Sequence, residues 1–302
     1  MLALPGNSRL SCGSRSRMNA QAEKRPFAWQ PITPQGVAAF AHASFGRLLL
    51  VQFVCALITA GTVVWFLFNA WFPTVRQAIR RLPPQGAIRS GVLDWQGDSP
   101  QRLAEGRFIA LSVDLKHEGE ARSPAHLQIE FGRTDFKIIS LFGFVQRPYP
   151  NGWIIFFNRT ELEPWWGAWS PPILAIAAGV VIVGLLLAWT CLATLYFLPV
   201  WLIGFFANRD LSLGASWRLA GAALMPGALF HVVAIIFYGL GALDLLRLVM
   251  AAALHIAVGW IYLFVGPLSL PRNPALAGLK PNPFVPDVVS PPTSRGESKR
   301  PN

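Results

Sequence analysis

Charge is what this sequence has least of. Only 14% of its 302 residues are Asp, Glu, Lys or Arg, where an average soluble domain carries about a quarter. So few charges exclude a disordered chain, which needs low hydrophobicity and dense charge. They also argue against one water-soluble globule, because the polar residues are too few to cover it. Cysteine is scarce too. Cys12, Cys55 and Cys191 stand far apart, which excludes a disulfide framework and a CxxC metal site. The usual chemical signatures are missing as well: no HExxH, no GxSxG, no phosphate-binding glycine loop and no dinucleotide fingerprint. Gly214-Ala215-Ser216-Trp217 has the outline of a GxSx serine motif. It reads as loop beside Arg218, where no base on a neighbouring span could activate the hydroxyl.

What is present is apolar: 53% of residues, with twelve Trp. A helix crossing a ~30 Å hydrocarbon layer needs about 20 apolar residues. Four uncharged runs meet that requirement, at 48–75, 164–208, 219–243 and 248–271. They predict a membrane α-helical fold with four transmembrane helices, at 48–72, 173–198, 219–241 and 247–268. The 164–208 run has length enough for two spans. Its opening Pro-Trp-Trp-Gly-Ala-Trp-Ser-Pro-Pro stretch is a poor helix interior, and Pro199 is expected to end or kink the span. It is therefore read as one span, followed by a loop at 199–218 with an apolar interfacial start. Trp71, Trp165, Trp166 and Trp169 fall where one membrane face should be, and Trp201 and Trp217 at the other, as interfacial anchors.

Between the first and second spans, residues 73–170 read as a small β-rich extramembrane domain. The nearly neutral 76–163 stretch holds twelve basic and ten acidic residues. An amphipathic stem (Val75, Ile79, Leu82) ends at Pro83-Pro84. Alternating apolar residues then predict strands at 87–93, 109–113, 127–131, 136–144 and 153–157, five or six in all and antiparallel. Turn-rich clusters at 94–100 and 147–152 separate them. Arg76, Arg80, Arg81 and Arg89 could hold anionic lipid headgroups, or equally belong to a stem standing in solvent. Asp94, Asp98, Glu105, Asp114 and Asp135 could supply a carboxylate pair or a Ca²⁺ site, although charge facing solvent is the plainer expectation.

His231 and His255 are the sharpest candidates inside the spans, since ionisable groups in a membrane are functional by default. Each lies twelve residues, about 18 Å, from a hairpin turn centred near residue 243. They could form an interhelical hydrogen bond, or a proton or ion site, and no third metal ligand is evident. Asp244 and Arg247 read as a local ion pair at the hairpin tip. Ala175/Gly179 and Ala223/Gly227 are small residues at four-spacing that permit close helix contact, and Pro226 should kink its helix.

The flanks are basic. Six Lys or Arg lie in 1–47, two (Arg209, Arg218) in the second loop and five after residue 271. The bias favours both termini cytoplasmic, although Arg76, Arg80, Arg81 and Arg89 pull the other way. The first 47 residues show no apolar core suited to a cleavable signal, and Met18 is an alternative start. Residues 271–302, with eight Pro, read as a flexible cytoplasmic tail.

The stretches Gly152-Trp153-Ile154-Ile155-Phe156-Phe157-Asn158-Arg159-Thr160-Glu161-Leu162, Pro164-Trp165-Trp166-Gly167-Ala168-Trp169 and Tyr196-Phe197-Leu198-Pro199-Val200-Trp201 carry a family likeness. Combined with one span, a β insert and three spans, they resemble bacterial four-span integral membrane proteins, over about 40–272. The resemblance implies a bacterial inner-membrane location and an extracytoplasmic insert, and brings no catalytic residues with it. The resulting expectation is a non-enzymatic protein without cofactor or metal that binds, senses or scaffolds in the envelope through its β domain. Its partners would be the lipid bilayer, anionic lipid or an envelope protein, and no nucleic acid. The alternatives are a transporter or channel component using His231 and His255, and an enzyme at the membrane interface.

Overall fold

A computed structural model describes residues 29–273. The segment before residue 29, with Met18 and most of the basic N-terminal flank, and the Pro-rich tail after 273 lie outside the described residues. Helix α1 is Pro34–Ala39 and α2 Phe45–Phe66, which runs through a π-helical turn, Leu67–Trp71, into α3, Phe72–Arg80. Eight strands follow: β1 Gly86–Arg89, β2 Val92–Trp95, β3 Gln101–Glu105, β4 Ile109–Val113, β5 Leu127–Phe131, β6 Asp135–Ser140, β7 Gly143–Pro148 and β8 Ile154–Phe156. The remaining helices are α4 Arg159–Phe206, α5 Leu213–Ala223, α6 Met225–Gly239 and α7 Leu245–Leu268. Among the described residues, four helical segments are long and apolar enough to cross a membrane: Phe45–Arg80, Arg159–Phe206, Leu213–Gly239 and Leu245–Leu268.

Each segment begins on a side-chain cap. Ser44, Asn158, Ser212 and Asp244 accept the backbone N–H of Arg47, Glu161, Ala215 and Arg247, occupying amides that a helix start leaves unpaired. The break between α2 and α3 has a chemical cause. Pro73 has no N–H to give the Asn69 carbonyl, and the Phe72 N–H instead reaches back to Leu67, widening one turn. Pro226, also without an N–H, opens α6 after a one-residue interruption at Leu224.

Several helix boundaries differ from the sequence reading. Pro164, Pro171, Pro172 and Pro199 all lie inside α4, which runs unbroken for 48 residues. Membrane-spanning helices tolerate internal Pro where neighbouring helices or local adjustments of the turn can re-satisfy the freed carbonyls. The expected interfacial piece at 200–208 is therefore helix as far as Phe206, and the third segment begins at Leu213, inside the expected loop. Ser216 lies in α5, fully buried, and its hydroxyl donates to the Ser212 carbonyl at 2.9 Å. Residues 34–43, read only as basic flank, supply Val37, Phe40 and Ala41 to the centre of the helical core, beside Leu48, Leu219 and Met225. Two polar ties close this core: Gln52 Nε2 donates to Gly221 O at 3.2 Å, and Arg218 donates to Ala41 O at 2.6 and 3.2 Å.

The β unit is two sheets, one of order β2-β1-β8 and one of order β3-β4-β5-β6-β7. The five or six antiparallel strands expected are thus eight, and β4 runs parallel to β5 with Ile109 opposite Leu127. The 87–93 and 136–144 stretches are each a hairpin folded in its middle. The stem α3 does not stand in solvent: Ala78 and Leu82 are buried with Ile88, Leu103, Ile109 and Val113 in one core.

Candidate functional site

Three groupings bring chemistry together, and the first is the histidine pair. The rings of His231 on α6 and His255 on α7 lie 5.2 Å apart, centre to centre, inclined by 33°. Equal depth on the hairpin is thus accompanied by facing directions. His255 Nδ1 bonds to the Ala252 carbonyl of its own helix, while His231 Nδ1 is buried with no partner. Gly227, one turn before His231, sets this spacing: a Cβ there would sit 2.4 Å from the His255 carbonyl oxygen. Gly179, the other glycine singled out, has nothing within 4 Å of such a Cβ. Gly227→Val should therefore destabilise the bundle by about 1–3 kcal/mol or more, read as lost thermal stability in detergent, while Gly179→Val leaves it unchanged. Equal losses would show that α6 and α7 are not held by this close approach.

The second grouping lies in the β unit, with Asp114 and Glu130 buried and His117 and Asp135 partly so. Parallel strands need a crossover of about a dozen residues, and here 114–126 supplies it without a helix. Asp114, at the end of β4, is only 1% exposed and accepts the N–H groups of Lys116 and Gly119 at 3.3 and 2.9 Å. Burial opposes its charge, but the amides of Gly119, Glu118, Lys116 and His117 outweigh it and hold its carboxyl below the ordinary value. His117 then adopts the left-handed backbone region, φ 58°, and turns its ring back onto the sheet. Its Nδ1 lies 2.6 Å from Glu130 Oε1 on β5, and its Nε2 2.6 Å from Asp135 Oδ1 on β6. Both ring nitrogens are thus engaged, each by a carboxylate from a different strand. Asp135 also accepts from Gln146 on β7. Burial raises its carboxyl, but the bonds from Gln146 and His117 win and leave it below the ordinary value. Asp114 and Asp135, expected to face solvent, are therefore parts of an internal clamp that ties the crossover to β5, β6 and β7.

The third grouping joins the β unit to the helices. Because β4 and β5 run parallel, their first residues lie side by side, and Leu127 N–H donates to the Phe108 carbonyl at 3.0 Å. Phe108 projects from this end against Phe66 of α2 and Tyr238 of α6, with ring centres 5.2 and 4.9 Å away. His126 stacks on Tyr238, and its Nδ1 lies 2.7 Å from the Tyr238 hydroxyl. Arg107 donates to the Leu243 carbonyl at 3.4 Å, over Gly241, whose φ of +82° turns the chain between α6 and α7. Beside this knot is a cleft of about 330 Å³ whose lining includes Arg122, His126, Leu141, Asp244, Leu245 and Leu246.

Burial, joined by the Arg107 charge and opposed by Asp244, holds His126 below its ordinary 6.5. Protonation therefore costs more in the docked state than in the undocked one. Docking carries no such cost above about pH 6.5 and acquires one as the pH falls below it. Backbone amides near 108 and 126 should exchange hydrogen faster at pH 5.5 than the intrinsic pH dependence allows, and His126→Gln should remove that excess. An excess unchanged by the substitution would assign the effect to another group.

The remaining sequence candidates are dispersed. Arg80 pairs with Glu163 at 3.6 Å and Arg81 donates to the Leu103 carbonyl at 3.1 Å, so two of the four arginines proposed for lipid already have protein partners, while Arg76 and Arg89 are exposed. Trp165 and Trp169 stack together and are half-exposed, as anchors would be. Trp166 instead packs against Phe72 with its Nε1 buried, and Trp71 is partly buried against the β core. Trp201 stacks on Phe205, and Trp217 donates to Thr194 Oγ1 at 3.1 Å. Asp244 and Arg247 form the expected pair at 3.5 Å. His117, His126 and Tyr238 carry no motif spacing that would have marked them. No family model, curated protein or solved structure matches this chain.

Proposed function

We propose that this chain is a multi-pass protein of a bacterial cytoplasmic membrane, with both termini inside, that acts by binding. Its β unit would receive an envelope component or partner outside, and its helices would carry the response across. The observation that supports this reading is the Phe66–Phe108–His126–Tyr238 knot, which fixes the β unit to two of the four long helices. A unit that served only as a tethered cover would need no such seat. The covalent path agrees, since α2 enters the β core through α3 and β8 leads directly into α4. The four apolar helices, the basic flanks and the resemblance to bacterial four-span proteins support the membrane, its orientation and its source.

A second reading has its own observation. The facing His231 and His255 rings, with one imidazole nitrogen buried and unpaired, suit a proton or ion step in a transporter or channel component. Complementation separates the two. In the source organism, a deletion strain with a growth defect under envelope stress should be rescued by His231→Ala and by His255→Ala. Phe108→Ala, present in the membrane at the same level, should fail to rescue it. The opposite pattern would overturn the binding reading in favour of transport.

A further inference from the structure

The hairpin β6–β7 is built against the rules of a water-facing turn. Ser140 pairs with Gly143, so its loop is the two residues Leu141-Phe142, where aqueous hairpins favour Asn-Gly or Asp-Gly. Leu141, Phe142, Phe144 and Val145 are 64%, 67%, 65% and 52% exposed, and every residue of the edge strand β7 is exposed. A contiguous apolar tip of this kind marks a contact surface. Its position says with what. Ile139, Ser140 and Leu141 line the 330 Å³ cleft together with Asp244, Leu245 and Leu246. Leu245 is the first residue of α7, so the tip lies where that helix begins its apolar run. Basic groups flank it: Lys137 Nζ stands 5.9 Å from the Phe144 ring centre, Arg147 lies opposite Phe136, and Arg122 is in the cleft.

From this placement we infer that the 141–145 tip is a lipid anchor. It inserts into the boundary between phospholipid headgroups and acyl chains beside the start of α7, with Lys137 and Arg147 at the level of the phosphates. Insertion of about 5–10 Å is typical of interfacial apolar elements. The inference rests on the membrane reading of the four helices. A second copy of the chain is the competing occupant, and the shared level with the start of α7 favours lipid.

Site-directed spin labelling of the full chain tests it, with Cys12, Cys55 and Cys191 replaced by Ala, in vesicles of phosphatidylglycerol and phosphatidylethanolamine. Labels would be placed at Phe142→Cys, at Val180→Cys on the exposed side of α4, and at Asp98→Cys in an exposed turn of the β unit. The ratio of oxygen to nickel-chelate accessibility should exceed one at 142 and 180 and fall below one at 98. A ratio below one at 142 with a high ratio at 180 overturns the anchor and leaves the membrane reading intact. Low ratios at both overturn the two together. Dipolar broadening at 142 that vanishes on dilution with unlabelled chain would assign the tip to a second copy, and also overturns the anchor.

Discussion

His117→Ala should cost the β unit about 3–5 kcal/mol, the range found when a buried charged group loses its partner and stays behind. Glu130 is 2% exposed, and its Oε2 already has no hydrogen-bond partner. Without the imidazole its Oε1 would be stranded as well, in a place where water cannot replace it. The loss should appear as hydrogen exchange two to three and a half powers of ten faster, roughly, at the amides of β4, β5 and β6, because 1.4 kcal/mol is about a factor of ten. The helical core should be unaffected, since the clamp touches none of it. A Glu130→Gln, His117→Ala double variant should recover part of the loss, because an uncharged amide is cheaper to bury than a carboxylate. If His117→Ala exchanges like the parent, the clamp contributes no stability and the crossover is held by Asp114 alone. Asp114 and Asp135 set the acid limit of the same unit. Their folded-state values lie below the ordinary carboxylate value, so their stabilisation is complete above about pH 4 and is lost as pH falls through the folded-state values.

Phe108→Ala should be comparably severe at the junction, where truncating a buried Phe costs about 3–5 kcal/mol. Phe108 is 9% exposed and its ring meets Phe66, Tyr238 and His126. Its removal leaves a gap between two rigid bodies that cannot collapse around it. The expected result is local, with each body intact and the seat between them loosened. Double electron–electron resonance between labels at Asp98→Cys and Leu246→Cys would read this as a narrow distance distribution that becomes broad. A distribution that stays narrow would show that α3 and α4 hold the β unit without the knot. Tyr238→Phe removes only the hydroxyl contact to His126 and should have the smaller effect, about 0.5–1.5 kcal/mol.

The four long helices were legible because the signal is an absence of charge over more than twenty residues, and no local detail can mask it. The strands Ile109–Val113 and Leu127–Phe131 were legible to the residue, since both carry unbroken apolar alternation. The strand Gln101–Glu105 was not, because its buried pair, Leu103 and Ala104, is flanked by polar residues. The two hairpins hidden in 87–93 and 136–144 were missed for opposite reasons. Ser90-Gly91 is an ordinary turn inside a short run, whereas Leu141-Phe142 is apolar and gives no turn signal at all. The equal depth of His231 and His255 followed from counting residues, and their facing directions needed the close approach at Gly227. The β-unit clamp had no legible form. Asp114, His117, Glu130 and Asp135 are ordinary charged residues in order, and only the parallel pairing of β4 and β5 folds them onto one another. The same pairing puts Phe108 beside His126, so one unforeseen strand direction accounts for both missed groupings.

Helix α4 has a mechanical consequence. At 1.5 Å per residue its 48 residues make a rod of about 72 Å, more than twice the thickness of a bilayer's hydrocarbon layer. Its buried residues, Trp189, Ala193, Val200 and Gly204, all lie in its C-terminal half and form one narrow seam. At the other end it is fastened to the β unit, through Asn158 on the Gly86 carbonyl at 3.0 Å and Trp166 on Phe72. From Ile182 onward the rod packs against the helical core, through Ile182, Leu185 and Leu186 as well as the seam, and the stretch between Trp166 and Ile182 has no buried residue. A tilt of about 5° at Ile182 would displace the Arg159 end, about 35 Å away, by about 3 Å and carry the attached β unit with it. Small angles in the bundle thereby become displacements of the β unit.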